Sequence, residues 1–265
     1  MPLTDLHSHL VPQVDDGSAS VEESLGSLAA LHADGVRALV TTPHLLLPHL
    51  TTDAAIDREL GRHRRGFDRL AEAALEAGDL PVLGLGQEIW APDAALLRRI
   101  VRRPGVGLTG TRWLLVEFGF ELQGTHEGVV REAVASGRGI VVAHPERYRY
   151  LPGSDPLDLM RRWRDLGALL QVNSGSFTGH YRGSSPDSER LAWEMVANGL
   201  VDLVATDHHG IRRAGVSPRE AFEALAARGG QVLAEQVMAR APGEIVREAG
   251  AELVGSALRS PAAGG

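Results

Sequence analysis

Cysteine is absent from the chain, which excludes disulfides, thiolate zinc sites and a cysteine nucleophile. Long apolar runs are missing too. The stretch 201–205 is broken by Asp202, and nothing approaches the roughly 20 residues that cross a bilayer. The first residues, Met1-Pro2-Leu3-Thr4-Asp5, lack the basic and apolar segments of a signal peptide. These features lead us to expect no membrane insertion and a cytoplasmic location. Basic charge is in short supply, since 27 Lys and Arg face 34 Asp and Glu, giving a formal charge of −7 and a pI near 5.9. Nucleic acid, which needs a clustered basic surface, is therefore not an expected partner. An anionic substrate stays admissible, because bound divalent cations would reverse the local field.

With 43% hydrophobic residues in 265, the chain can bury one substantial core of the size usual for an α/β barrel. Short apolar runs alternate with amphipathic stretches. Strands are expected over 3–7, 36–41, 81–86, 113–118, 139–143, 169–173 and 201–206. Helices are expected over 21–33, 53–77, 94–103, 125–136, 156–166, 186–198 and 218–228, with two short ones over 231–239 and 242–249. Gly35, Gly78, Gly137, Gly167, Gly199 and Gly229 stand where C-terminal caps would fall. Apolar strands alternating with such helices predict a parallel sheet covered by helices, and seven units fit a barrel better than an open sheet.

Parallel α/β folds gather function at the carboxyl ends of their strands. Read in order, those ends carry His7-Ser8-His9 with Asp15-Asp16-Gly17, then Thr42-Pro43-His44, Gln87-Glu88 and Glu117. They continue with His144-Pro145-Glu146-Arg147, Asn173-Ser174 and Asp207-His208-His209. Strand alternation puts His7 with His9, and Asp207 with His209, on one side; His208 should point away. Imidazole and carboxylate together suit zinc, manganese or iron. So many donors exceed what one ion takes, and a carboxylate such as Glu88 could bridge two ions roughly 3.5–4 Å apart, the spacing that activates water against a phosphoester.

Each element has a plainer explanation alone. A lone His-x-His arises by chance, Asp15-Asp16-Gly17 is an ordinary turn before a capped helix, and single carboxylates form surface ion pairs. Their joint placement favours metal, since that much buried charge is costly without a cation. His32, His63 and His126 are read as solvent-facing or as local caps, and His49 and His180 as loop residues.

These motifs resemble those of the polymerase-and-histidinol-phosphatase (PHP) superfamily, and within it the bacterial manganese-dependent protein-tyrosine phosphatases linked to capsular and exopolysaccharide synthesis. The resemblance rests on 5–9, 14–17, 42–44, 86–89, 116–118, 143–147, 175–179 and 206–209, in order along the chain. It implies a distorted seven-stranded (β/α) barrel over 1–255 as a single domain, with a flexible tail over 256–265. It also implies metal ligands at His7, His9, Asp16, His44, Glu88, Glu117, His144, Asp207 and His209, binding two or three divalent ions, manganese foremost, with iron or zinc as alternatives. Arg147 would contact the phosphate. The implied partner is the phosphotyrosine tail of a bacterial tyrosine autokinase that regulates polysaccharide chain length.

The chain departs from the pattern in two places. An apolar stretch, Leu45-Leu46-Leu47-Pro48-His49-Leu50, follows the second-strand histidine, where it would pack on an aromatic leaving group or on another subunit of a homo-oligomer. Gly210 follows His209 in place of the usual asparagine, and Arg212 or Arg213 would supply a second phosphate-binding cation. Two other readings stay open: a small-molecule phosphatase such as histidinol phosphatase, or a metal-bound regulatory module without catalysis. We expect one ion among His7, His9, Glu88 and Asp207, a second among Glu88, Glu117 and His144, and a third among Asp16, His44 and His209.

Overall fold

In the computed structural model, which describes residues 1–122, 126–210, 216–248 and 253–255, pleat alternation sorts the apolar side chains into two cores. Leu114 and Val116 of one strand and Ile140 and Val142 of the next face outward, into the core beneath the helices. Leu115, Val141 and Ala143 point the other way, into a smaller core inside the barrel with Leu6, Val40, Leu108 and Leu203. Ile245 and Val246, from the helix Ala241–Glu248, join that inner core.

The strands are β1 (Leu3–Asp5), β2 (Val36–Thr41), β3 (His44–Leu46), β4 (Val82–Leu85), β5 (Glu88–Trp90), β6 (Trp113–Glu117), β7 (Gly139–Ala143), β8 (Ala168–Asn173) and β9 (Leu203–Ala205). They form two all-parallel sheets, β1-β2-β4 and β3-β5-β6-β7-β8-β9. Two expected strands, 36–41 and 81–86, are found as β2 and β4, and each is followed by a short further strand that was not expected, β3 and β5. Pro43 interrupts β2 and β3, because it has no N–H to give the ladder, and Gly86-Gln87 separates β4 from β5. With each of those pairs counted once, the strands among the described residues number seven, as the resemblance implies. The ring closes between first and last: Asp207 N–H donates to His7 O at 2.8 Å and His9 N–H to His208 O at 2.7 Å. Asp5, buried, adds a tie by accepting from the Thr206 backbone N–H at 3.1 Å. The distortion lies at β4, where Leu83 pairs antiparallel with Val254.

The helices follow the expected intervals, with corrections. Thr52, Asp155 and Ser217 cap their helices through side-chain oxygens. The interval 94–103 holds a helix only over Ala94–Arg98. Gly229 ends its helix rather than capping it, and the left-handed turn falls on Gly230, φ +96°. A π turn, Gln236–Arg240, interrupts the segment 231–239. His63 and His126 are buried, not solvent-facing: His63 lies 3.3 Å from Glu59 one turn back, and His126 packs on Phe118 and Trp163. Among the described residues no helix is long and apolar enough to cross a membrane. Arg212, Arg213 and the tail 256–265 lie outside the described residues.

Candidate metal centre

Inward parity delivers the functional side chains. Glu117 shares the face of Leu115, and Asp207 continues the inner face of Leu203 and Ala205. The two strand breaks carry His44 and Glu88 into the same mouth, in register with each other across β3 and β5. After β7 and β9 the chain turns through left-handed backbone at His144 (φ 34°) and Asp207 (φ 53°), conformations that cost energy outside glycine and concentrate at functional sites. The Asp15-Asp16-Gly17 turn is pressed onto β1's extension. A Cβ at Gly17 would lie 2.0 Å from His9 O, so only glycine fits there.

All nine expected ligands converge. Four overlapping groups have ligand atoms mutually within 4.8 Å: His9, Asp16, His44, His209; His7, His144, Asp207; His7, His9, Glu88; and His44, Glu88, Glu117. The expected partition into three sets differs in detail, since His144 falls with His7 and Asp207, while Glu117 falls with His44. Glu88 is at the centre. Its Oε2 lies 3.4 Å from His7 Nε2, 3.3 Å from His9 Nε2 and 2.9 Å from His44 Nδ1, yet it makes no hydrogen bond. His7 Nε2 and His9 Nε2 face each other at 3.3 Å. Lone pairs and carboxylate oxygens converging on common points are poorly satisfied by protons and well satisfied by divalent cations, so the donor set fits metal, and more than one ion.

The electrostatics follow from that crowding. Burial, then the Glu88 carboxylate, pushes Glu117 up to about 8. Burial pulls His44 down, but Glu88 and Asp16 outweigh it and hold the imidazole near 10. Burial would raise Asp207, yet His7 and His9 hold it well below the usual carboxylate range.

A further set of residues, given no orienting role from the sequence, fixes the imidazoles. Asn173 Nδ2 donates to Asp207 Oδ2 at 2.7 Å, and Gln171 Nε2 donates to Asn173 Oδ1 at 2.8 Å. Gln171 Oε1 is thereby left to accept from His7 Nδ1–H at 2.9 Å, which turns the Nε2 lone pair into the mouth. His9 Nδ1–H donates to Asp15 Oδ2 at 2.7 Å with the same consequence, and Asp15 also accepts from the His44 backbone N–H. The signal for Gln171 and Asn173 was available: both are polar residues on the inward parity of an otherwise apolar strand. Glu146 is a buried carboxylate accepting from Asn173 N–H and Ser176 Oγ, and burial lifts it to about 7.

Arg147 stands at the edge of the mouth. It does not pair with Glu146; Nη1 donates to Asp207 Oδ2 at 2.8 Å. Its Cζ lies 4.2 Å from the Tyr181 ring centroid and 5.3 Å from that of Phe120, so the fork is held between two aromatic rings. Arg147, Phe120, His180 and Tyr181 join the ligands around a cavity of about 290 Å³. His208 also lines it, buried and pulled down to about 4, but it belongs to none of the four ligand groups. The apolar stretch after His44 divides. Leu45 and Leu47 are fully buried in the core, whereas Leu46 lines, with His49 and Leu50, a neighbouring cavity that shares Asp16 and His44 with the metal cavity.

A family model described as capsular polysaccharide synthesis, CpsB/CapC, matches residues 3–247. Tyrosine-protein phosphatase CpsB of Streptococcus pneumoniae is 28% identical over 256 residues, covering 93% of this chain and 99% of that protein. Tyrosine-protein phosphatase YwqE of Bacillus subtilis (strain 168) is 26% identical over 225 residues, 84% of each. Among solved structures, one from a crystallographic study of YwqE and CpsB as metal-dependent tyrosine phosphatases superposes with a TM-score of 0.76 at 23% identity. That overlap covers 93% of this chain and 95% of the other, and bears on the fold.

Proposed function

We infer, the chain belonging to the CpsB/CapC capsular polysaccharide synthesis family, that it is a metal-dependent phosphoester hydrolase acting on phosphotyrosine. The observation that carries this reading is the set of four overlapping ligand groups at one barrel mouth, with an aromatic-flanked guanidinium beside them. His7, His9, Asp16, His44, Glu88, Glu117, His144, Asp207 and His209 hold two or three divalent ions, manganese foremost. When bound, those ions polarise the phosphoester and make hydroxide available near neutral pH. The chain's own residues do the rest. Gln171, Asn173 and Asp15 set the ring orientations, and Arg147 offers its fork to the non-bridging phosphoryl oxygens, a planar geometry that lysine lacks. A phenolate is a comparatively good leaving group, which lowers the demand for a general acid.

The substrate in this reading is the tyrosine-rich tail of a bacterial tyrosine autokinase in polysaccharide synthesis, met in the cytoplasm by a single barrel domain over 1–255. The test is turnover of a phosphotyrosyl peptide against histidinol phosphate and nucleotides, before chelation, after it, and after manganese return. Preference for phosphotyrosyl peptide, lost with chelation and restored by manganese, is the expected result. Preference for histidinol phosphate would make it a small-molecule phosphatase, and metal binding without turnover of any substrate would make it a regulatory module.

A further inference from the structure

Phe120 is a large apolar side chain, 45% exposed, at the rim of the metal cavity. Scattered exposed aromatics are ordinary and by themselves signify nothing. This one is placed and held. Gly119 before it adopts φ +95°, and a Cβ there would come 2.9 Å from Trp90 Nε1, so the chain turns sharply between buried Phe118 and outward Phe120. The Arg149 N–H donates to Phe120 O, anchoring the backbone beyond the turn. The ring lies nearly parallel to that of His144, at 10° and 6.0 Å between centroids, with the Arg147 guanidinium against it.

Phe120 and Arg147 are also the two residues that line both the metal cavity and an adjoining groove of about 650 Å³. That groove runs past Tyr148, Arg149, Ser184, Asp187 and Arg190. The deepest ligands, His7, His9 and Glu88, are at most 1% exposed, so a phosphoryl group must reach well inside while its carrier remains at the rim.

We propose that Phe120 determines specificity by stacking on the aromatic ring of the substrate's phosphotyrosine, while the peptide main chain leaves along the groove. This rests on the hydrolase reading above and names the group that selects an aryl over an alkyl phosphoester. A phosphoryl group held by Arg147 and the ligands leaves its carrier atoms passing Phe120, where a planar ring gains stacking and apolar burial that a serine methylene does not.

The test compares Phe120→Leu, which keeps apolar bulk without a ring face, with Phe120→Tyr, which keeps the face. Binding of phenylphosphonate and methylphosphonate to the manganese-loaded protein is read by calorimetry. Turnover is read on phosphotyrosyl and phosphoseryl peptides of one sequence. Phe120→Leu should weaken phenylphosphonate about tenfold and raise KM for phosphotyrosyl peptide to match, while methylphosphonate shifts less than about threefold; Phe120→Tyr should bind phenylphosphonate as wild type does. Equal weakening of both phosphonates would overturn the proposal and leave Phe120 as a support for Arg147. So would a wild-type protein that prefers neither phosphonate, or a Leu variant that loses nothing. Wild-type preference for phenylphosphonate, lost in Phe120→Leu, without turnover of any phosphopeptide would leave the platform standing and sink the hydrolase reading instead.

Discussion

Replacing Arg147 by lysine separates charge from geometry at the phosphate site proposed above. Arg147 Nη1 is committed to Asp207 Oδ2 at 2.8 Å, and its Cζ lies over the Tyr181 and Phe120 rings. A planar fork with five N–H donors can keep that bond and still present other donors to an anion. A lysine ammonium can pair with Asp207 or turn to the phosphoryl group, but one point charge cannot reproduce both geometries. The loss is then about one hydrogen bond to a charged group, some 1.5–3 kcal/mol, or roughly a 10- to 150-fold fall in kcat/KM. Assayed on phosphotyrosyl peptide with manganese in excess, the variant should show that fall. Metal content by elemental analysis should stay near wild type, because the positive neighbour of Asp207 is retained. Full activity would refute the reasoning, and so would loss of metal with a lowered melting temperature, which would make Arg147 a support for Asp207 alone.

Three further outcomes are expected. Asp15→Asn should weaken manganese binding about 10- to 100-fold by removing the carboxylate that orients His9 and holds the His44 backbone, measured by competition with a chelating dye; unaltered affinity would dismiss that orienting role. Manganese binding at pH 7 should release protons, because His44 near 10 and Glu117 near 8 both hold one that a cation displaces, and calorimetry in buffers of different ionisation enthalpy detects it. The sign for the metal-free protein is opposite: Glu117 is raised in the fold from 4.5, so the folded state binds the extra proton and its stability falls as pH climbs from 4.5 through about 8. His44, raised from 6.5, contributes stability present below 6.5 and lost through about 10, so the metal-free melting temperature should decline across both intervals, and a flat profile would contradict the pairings. Finally, Leu47→Ser should cost about 3 kcal/mol and lower the melting temperature by roughly 5–10 °C, whereas Leu46→Ser should change stability by less than about 0.5 kcal/mol, since only Leu47 is fully buried.

The donor-rich strand ends were legible in the chain because parallel strands place chemistry at their carboxyl ends, and a period of two decides which side chains face inward; the assignment of nine ligands came from the resemblance. His7 with His9 obeys that rule, and Glu117 follows Leu115. Helix intervals, too, were set locally, by caps such as Thr52 and Ser217 and by glycines after the last turn. Burial of a helical histidine was not: His63 and His126 look alike in sequence to surface residues, and only the packing of neighbouring elements decides which face is covered.

What the sequence determined by itself, then, was which imidazole and carboxylate residues stand at the strand ends and the order in which strands deliver them, since both depend on local backbone period and turn chemistry. The tertiary structure decided the rest. Which donors share a group depends on distances between strands far apart in sequence, as with Glu88 among His7, His9 and His44. So does the fate of the apolar stretch after His44: Leu45 and Leu47 go to the core, Leu46 lines a cavity beside the metal ligands Asp16 and His44, and Phe120, far along the chain, stands at the rim of the metal cavity.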